Sequence, residues 1–226
     1  MPTLYIVSTP IGNLKDITLR AIEILTGADV ILCEDTRKTG QLLKHLNISD
    51  KKLISFYDQV EDIKTPEIIE ILKQDKMTCL VSDSGTPLIS DPGFKLVRAC
   101  IKNNIKVVPV PGPSAVIAAL VASGLPANRF LFLGYPPAKT GARQKFFKNI
   151  RNNFVNSEIK PTIIFYESPH RIIRTLLDME VIFGDIEIAI ARELTKIHEE
   201  IIRSKISEVV KEMDKPKGEF SVVFSL

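Results

Sequence analysis

Six short polar segments each follow an apolar run of strand character, and together they hold most of the chain's candidate chemistry. In open α/β sheets, ligands bind beyond the carboxyl ends of the strands. Ser8-Thr9-Pro10-Ile11-Gly12-Asn13 reads either as a site of close backbone approach by a ligand or as an ordinary turn. Glu34-Asp35-Thr36-Arg37 crowds two acids and an arginine; the simpler alternative is a helix cap with a solvated arginine. Ser82 to Gly93 (SDSGTPLISDPG) is twelve residues with two Gly, two Pro and two Asp, a shaped loop rather than a minimal connection. Its side chains and free backbone N–H groups suit a polar ligand such as an amino-acid moiety. Pro109 to Ala115 (PVPGPSA) places Gly112 for close approach and Ser114 at a helix start, or else forms a rigid hinge. Tyr166-Glu167-Ser168-Pro169-His170-Arg171 sets a carboxylate beside an aromatic, a general-base pattern that a capped helix start also explains. Arg192-Glu193-Leu194-Thr195-Lys196 offers cations for phosphate, or a surface ion cluster.

The elements that must position these segments alternate along the chain. Strands are expected at Thr3–Ser8, Asp29–Cys33, Lys52–Phe56, Lys76–Ser82 and Ile105–Val110. Helices are expected at Thr18–Leu25, Thr36–Leu46, from Thr65-Pro66-Glu67 onward, and at Phe94–Lys102. This is the pattern of a mostly parallel sheet covered by helices. It restarts after Pro113, with helices at Ser114–Ala122, Arg143–Asn152, Ser168–Phe183 and Ser204–Met213. Strands follow at Phe130–Leu133, Thr162–Glu167, Ile186–Arg192 and Glu219–Ser225. Two α/β domains result, 1–112 and 113–226.

The chain has 226 residues, 45% apolar and 25% charged, an ordinary globular composition. Cys33, Cys79 and Cys100 are too far apart for a zinc knuckle or CxxC site, and fit a reduced, cytoplasmic setting. The N-terminus lacks the features of a signal peptide. Val107 to Pro126 is almost uncharged, but its prolines and glycines argue against a membrane span.

Charge is uneven. Residues 92–157 carry ten Lys or Arg and no acid, although the whole chain has a net charge of only +3. Such a block suggests a polyanion or anionic ligand, unless folding scatters the cations. Within it, Lys139–Arg151 joins five cations to Phe146-Phe147; at least one of these rings is expected in the core. No two glycines flank a single residue, so GxGxxG is absent, and so are GxxxxGK[ST], HExxH and GxSxG.

The ordered segments STPIGNLKDITLRA, CEDTRKT, VSDSGTPLISDPG, VPGPSA, FYESPHR and ARELTKIHEE resemble one family, from about residue 3 to residue 225. It is the 2′-O-ribose methyltransferases of small-subunit ribosomal RNA, within the tetrapyrrole methylase superfamily. The resemblance implies two α/β domains with S-adenosylmethionine (SAM) in the cleft between them. It implies a homodimer that needs no metal and methylates a cytidine ribose in the decoding region of 16S ribosomal RNA. Carried over by motif, cofactor contacts fall on Pro10, Ser82, Asp83, Gly85, Thr86, Ile89, Ser90, Asp91, Ser114, Ala115, Tyr166, Ala191 and Arg192.

Two positions depart from the usual pattern, Ser84 for Ala and Leu88 for Gly; Leu88 either narrows the cofactor pocket or faces outward. Many relatives also continue past the last strand, with an additional helical extension. For the proton of the 2′-hydroxyl, Glu167 is the first expectation, with Asp35 and Asp91 as alternates. RNA contacts are expected from Arg37, Lys139, Arg143, Lys145, Lys148, Arg171 and Lys196. The rivals are a tetrapyrrole methyltransferase of the same superfamily and a non-catalytic RNA-binding ribosome factor. The acid-free block and the EDTR and YESPHR segments weigh against the first, and the intact cofactor loops against the second.

Overall fold

The computed structural model describes residues 1–226, which form two compact units, Met1–Ser114 and Ala115–Leu226. In the first, strands β1 (Thr3–Val7), β2 (Val30–Cys33), β3 (Lys52–Ser55), β4 (Thr78–Val81) and β5 (Lys106–Val110) pair in parallel, in the order β3-β2-β4-β1-β5. Parallel sheets are covered on both faces, so their strands read as continuous apolar runs. That is the case here: β2 and β4 are buried at every position. Alternate residues serve opposite faces. Val30, Leu32 and Leu80 pack with Ile68 and Leu72 of α3 (Asp58–Lys73) and Leu96 and Cys100 of α4 (Phe94–Lys102). Ile31, Cys33, Cys79 and Val81 pack on the other face with Ala21 and Leu25 of α1 (Leu19–Gly27) and Leu43 of α2 (Thr36–His45). All three cysteines are free and buried.

The second unit has a mixed sheet. Strands β6 (Phe130–Phe132), β7 (Thr162–Glu167), β8 (Glu187–Arg192), β9 (Glu200–Lys205) and β10 (Phe220–Phe224) run in the order β6-β7-β10-β8-β9. Only β6 and β7 are parallel. Helices α6 (Thr140–Phe154), α7 (Ile172–Phe183) and α8 (Ile206–Glu212) cover one face through Phe147, Leu176 and Val209. Helix α5 (Ala115–Ser123) covers the other through Val116, Ala119 and Leu120. No helix is long and apolar enough to cross a membrane.

Three expectations are corrected. Thr65-Pro66-Glu67 does not open a helix: α3 starts at Asp58 and carries Pro66 inside it. An interior proline forfeits one backbone bond, a loss that packing of Ile68, Ile69 and Leu72 outweighs. Ser168 and Pro169 belong to a turn, and α7 begins at Ile172. Residues 200–205 form the edge strand β9, which the sequence reading missed. Its charged ends suit an exposed edge but blur the alternation that marks a strand.

Candidate active site

Three polar loops of the first unit leave the same end of three adjacent strands. Those strands, β4, β1 and β5, are neighbours in the sheet, and direct hydrogen bonds tie their loops into one rim. Thr9 and Gly85 exchange both backbone bonds, at 2.9 and 3.1 Å. Ser8 Oγ donates to Thr86 Oγ1 (3.1 Å), which donates to the Pro113 carbonyl (3.0 Å). Thr9 Oγ1 donates to the Ser82 carbonyl at 3.1 Å. Gly112 is required by close approach: a Cβ there would lie 2.9 Å from that of Ser8. The expected residues Ser82, Gly85 and Thr86 thus belong to one hydrogen-bonded strand-end structure, with Pro10 buried next to Thr9 and Ser114 following Pro113.

The far half of the long loop is strained. Leu88 and Ser90 adopt left-handed backbone, φ 71° and 67°, with Ile89 exposed between them. A non-glycine residue in this region costs roughly 1–2 kcal/mol. This explains why glycine suits position 88. Leu88 is partly buried and packs against the core that includes residues of α3 and α4.

Carboxylates gather beside the rim. Asp83 accepts from the Asp35 backbone N–H (3.0 Å) and pairs with Lys38 (2.9 Å), so its charge is committed to joining the loops after β2 and β4. Asp35 caps α2 and takes a two-pronged contact from Arg37, at 3.0 and 2.7 Å. Those Arg37 hydrogen bonds hold its carboxyl well below the usual range, which makes Asp35 a poor proton acceptor at neutral pH. Asp91 differs. Burial first, then the charge of Glu34, push its carboxyl up to about 7, while a hydrogen bond from Ser82 pulls the other way. Burial likewise raises Glu34. Such perturbation of a carboxylate at a strand end marks candidate functional groups. With more acids than nearby cations, the set suits a ligand that carries positive charge. No group of side chains has the makings of a metal site.

In the second unit, Glu167 is not available as a base. Its side chain has no exposed surface. Its oxygens accept from Ser168 N (2.8 Å), Thr175 Oγ1 (2.7 Å) and Arg171 (3.0 Å). The carboxylate fastens the end of β7 to the first turns of α7; the alternative read from the sequence, a helix capped by Ser168, is not formed, since α7 has no side-chain cap. Tyr166 lies alongside Phe132, with ring centroids 4.9 Å apart. Ala191 is buried against α5, and Ala115 opens that helix. Arg192 donates to the Lys217 carbonyl (2.8 Å) and pairs with Glu200 (3.2 Å).

The expected RNA contacts divide the same way. Lys139, Lys145 and Lys148 are exposed. Arg143 is not: at 2% exposure it pairs with Asp178 of α7 and donates to the Ala138 carbonyl. It is a core residue, and a buried guanidinium in an ion pair has no reach to RNA. Phe147 is fully buried and Phe146 packs against the same cluster, so neither ring is free to stack. Arg171 is spent on Glu167 and the Pro136 carbonyl, and Lys196 on Glu193 and Glu219. Arg37 is exposed but paired with Asp35. Arg151 was passed over as a contact, although its spacing after Lys145 and Lys148 puts the three on one exposed face of α6. That spacing was the signal.

The family profile of tetrapyrrole (corrin/porphyrin) methylases matches residues 3–210. A protein of Hydrogenobaculum sp. named ribosomal RNA small subunit methyltransferase I is 50% identical over 98% of this chain and 95% of its own length. The protein of that name from Thermotoga maritima is 44% identical over 100% of this chain and 99% of its own length. A third, from Vibrio cholerae, is 49% identical, but this chain spans only 70% of it. Relatives of both lengths therefore carry the name. Among solved structures, a diphthine synthase aligns with a TM-score of 0.72 at 13% identity, covering 98% of this chain and 89% of that one. Uroporphyrin-III-C-methyltransferase from Thermus thermophilus aligns at 0.64 and 17% identity, covering 99% and 94%. Those two likenesses speak to the fold. With the profile spanning nearly the whole chain and full-length relatives at this level of identity, the chain belongs to the tetrapyrrole methylase family, among the ribosomal RNA small subunit methyltransferase I proteins.

Proposed function

We propose that the chain is a SAM-dependent methyltransferase acting on small-subunit ribosomal RNA, and that it transfers the methyl group to a cytidine 2′-hydroxyl in the decoding region. The observation that carries this reading is the near-full-length identity to relatives named for that substrate class. The acid-free helix α6, with Lys145, Lys148 and Arg151 exposed, suits a polyanionic substrate. The small ribosomal subunit as partner, a homodimer as working unit and the cytoplasm as setting belong to the same proposal.

The rim residues fit the cofactor. SAM brings an electrophilic methyl group on a sulfonium, together with an ammonium and ribose hydroxyls. Backbone groups of the Ser82–Asp91 loop suit its polar parts, and the acid Glu34 suits its positive charge. Leaving-group activation is thus built into the cofactor, and the protein's remaining tasks are alignment and removal of the hydroxyl proton. Asp91 takes that proton on a carboxylate oxygen. A carboxyl near 7 is matched to the task, whereas Asp35 is too acidic and Glu167 is sealed.

The test uses purified protein and methyl-labelled SAM. Small subunits from cells lacking the enzyme, naked ribosomal RNA and a tetrapyrrole precursor are offered in parallel. Label in 2′-O-methylcytidine is the expected result. Label in the tetrapyrrole would replace the substrate assignment, and RNA binding without any product would favour a non-catalytic factor.

A further inference from the structure

Strand β6 is an edge of the second sheet, and an open cavity of about 550 Å³ lies against it. Two stretches of chain line it. One is the entry to β6, with Asn128, Arg129 and Phe130; the other holds Phe154 at the end of α6 and Ile159 and Pro161 before β7. Hydrogen bonds at the start of β7 fix the first stretch: Thr162 N donates to the Arg129 carbonyl at 2.9 Å, and Thr162 Oγ1 to the Pro126 carbonyl at 2.6 Å. The lining is mostly apolar, and Phe130 keeps 43% of its surface in solvent. The surroundings are cationic. Arg129 lines the cavity itself. Arg151 stands one helical turn before Phe154, close enough to be its neighbour on α6, and Lys148 stands one turn before that. Lys160 sits between Ile159 and Pro161 in the chain. All four are exposed, and no hydrogen bond or ion pair engages their side chains, whereas Arg143, Arg171 and Lys196 are committed to acids. Glu158 is the one acid in the connection from α6 to β7.

An aromatic, apolar opening among free cations matches a ligand that has both negative charge and a flat apolar face. A nucleotide of unpaired RNA has both. We infer that the cavity is a base-binding subsite: one unstacked base of the RNA substrate packs against Phe130 and Phe154, while Arg129, Lys148 and Arg151 hold the flanking phosphates. The inference rests on the RNA reading above and gives the substrate a place on the second unit that no motif of the sequence singled out. A bare polyphosphate would leave the apolar lining without a use. A second copy of this chain, docked about a two-fold axis, would set the same cations against themselves. Stacking tolerates any base but needs one out of its helix, so the subsite selects unpaired over paired RNA.

The chain contains no tryptophan, so Phe130→Trp places a single indole in the cavity wall. Oligouridylate should quench its fluorescence. An abasic ribose-phosphate chain of the same length, an RNA duplex and S-adenosylhomocysteine should not. In equilibrium binding, Phe130→Leu should weaken oligouridylate about tenfold with an unchanged salt dependence, and Phe130→Tyr should recover most of the loss. Arg129→Gln and Arg151→Gln should each make the slope of log K against log salt shallower by roughly 0.7. These two alter unpartnered surface side chains, so they carry the test even if Phe130→Leu fails to fold. Unchanged slopes in both overturn the inference. So does an indole that the abasic chain or S-adenosylhomocysteine quenches as well as oligouridylate does, or one that bound oligouridylate leaves unquenched. A Phe130→Leu protein that binds RNA like wild type but changes its oligomeric state would assign the cavity to a contact between copies instead. If the wild-type chain binds RNA at this cavity but methylates none, the functional reading fails and the subsite stands. Binding is read without turnover, so the two failures are distinguishable.

Discussion

Two strand-end carboxylates, Asp91 after β4 and Glu167 at the end of β7, looked alike in the sequence. Each sits in a segment of small polar residues at the carboxyl end of a strand. The surroundings separate them. Glu167 receives three hydrogen bonds, one from a guanidinium, and its charge is balanced where it stands. Asp91 stands near Glu34, Asp83 and Asp58, and burial without a matching cation lifts its carboxyl to about 7. The lesson is that full satisfaction marks a structural carboxylate, whereas an unresolved charge marks one kept for a ligand or a proton.

The largest expected effect comes from breaking the satisfied partner. Glu167→Ala leaves buried Thr175, Ser168 N and the partly exposed Arg171 guanidinium without their acceptor, and should cost about 3–5 kcal/mol in denaturant unfolding. A small loss there, with turnover abolished in folded protein, would reverse the two assignments. Asp91→Asn should lower turnover about 100-fold while calorimetry still detects SAM binding. Full turnover in that variant would remove Asp91 from the chemistry.

The same carboxylate sets two pH dependences. In the wild type, kcat/KM should rise as pH passes through about 7 and flatten above it, as Asp91 ionises. Stability runs the other way. With the folded value raised from the ordinary 3.8 to about 7, the folded state binds more protons than the unfolded one across that window. Asp91 therefore erodes stability as pH climbs from about 4 to about 7, and the penalty is complete above 7. Asp91→Asn should have a higher Tm than wild type at pH 8 and no such advantage at pH 4.

A smaller effect tests the rule on a third carboxylate. Glu61, 5% exposed on α3, accepts from Gly93 N, Lys95 N and Leu96 N at 3.1, 2.8 and 3.2 Å. It caps α4 from a neighbouring helix. Glu61→Gln should cost roughly 1–2 kcal/mol, measured by thermal unfolding, with little change in turnover. Smallest is Leu88→Gly, where relief of left-handed strain opposes lost packing and added unfolded-state entropy. Its net change should stay within about 1 kcal/mol.

Much of this was legible in the residues. Apolar runs such as DVILC and TIIFYE, with polar turns between them, announced alternating strands and helices, because a strand buried on both faces must be continuously apolar. The strand-end loops were legible too, since Gly, Pro, Asp and Ser concentrate where backbone bends and ligands approach. Less legible were features that depend on partners distant in sequence. The strand β9 escaped because an edge position tolerates charge. Arg143 and Lys145 belong to one basic run, yet helix geometry turns the first toward Asp178 and the second toward water. By itself the sequence determined the element pattern, the family and the set of candidate carboxylates, because those follow from local periodicity and ordered motifs. Only the tertiary structure decided which carboxylate stays uncompensated. Desolvation and Coulomb energy depend on through-space neighbours such as Glu34 beside Asp91 and Thr175 beside Glu167, which chain order does not reveal.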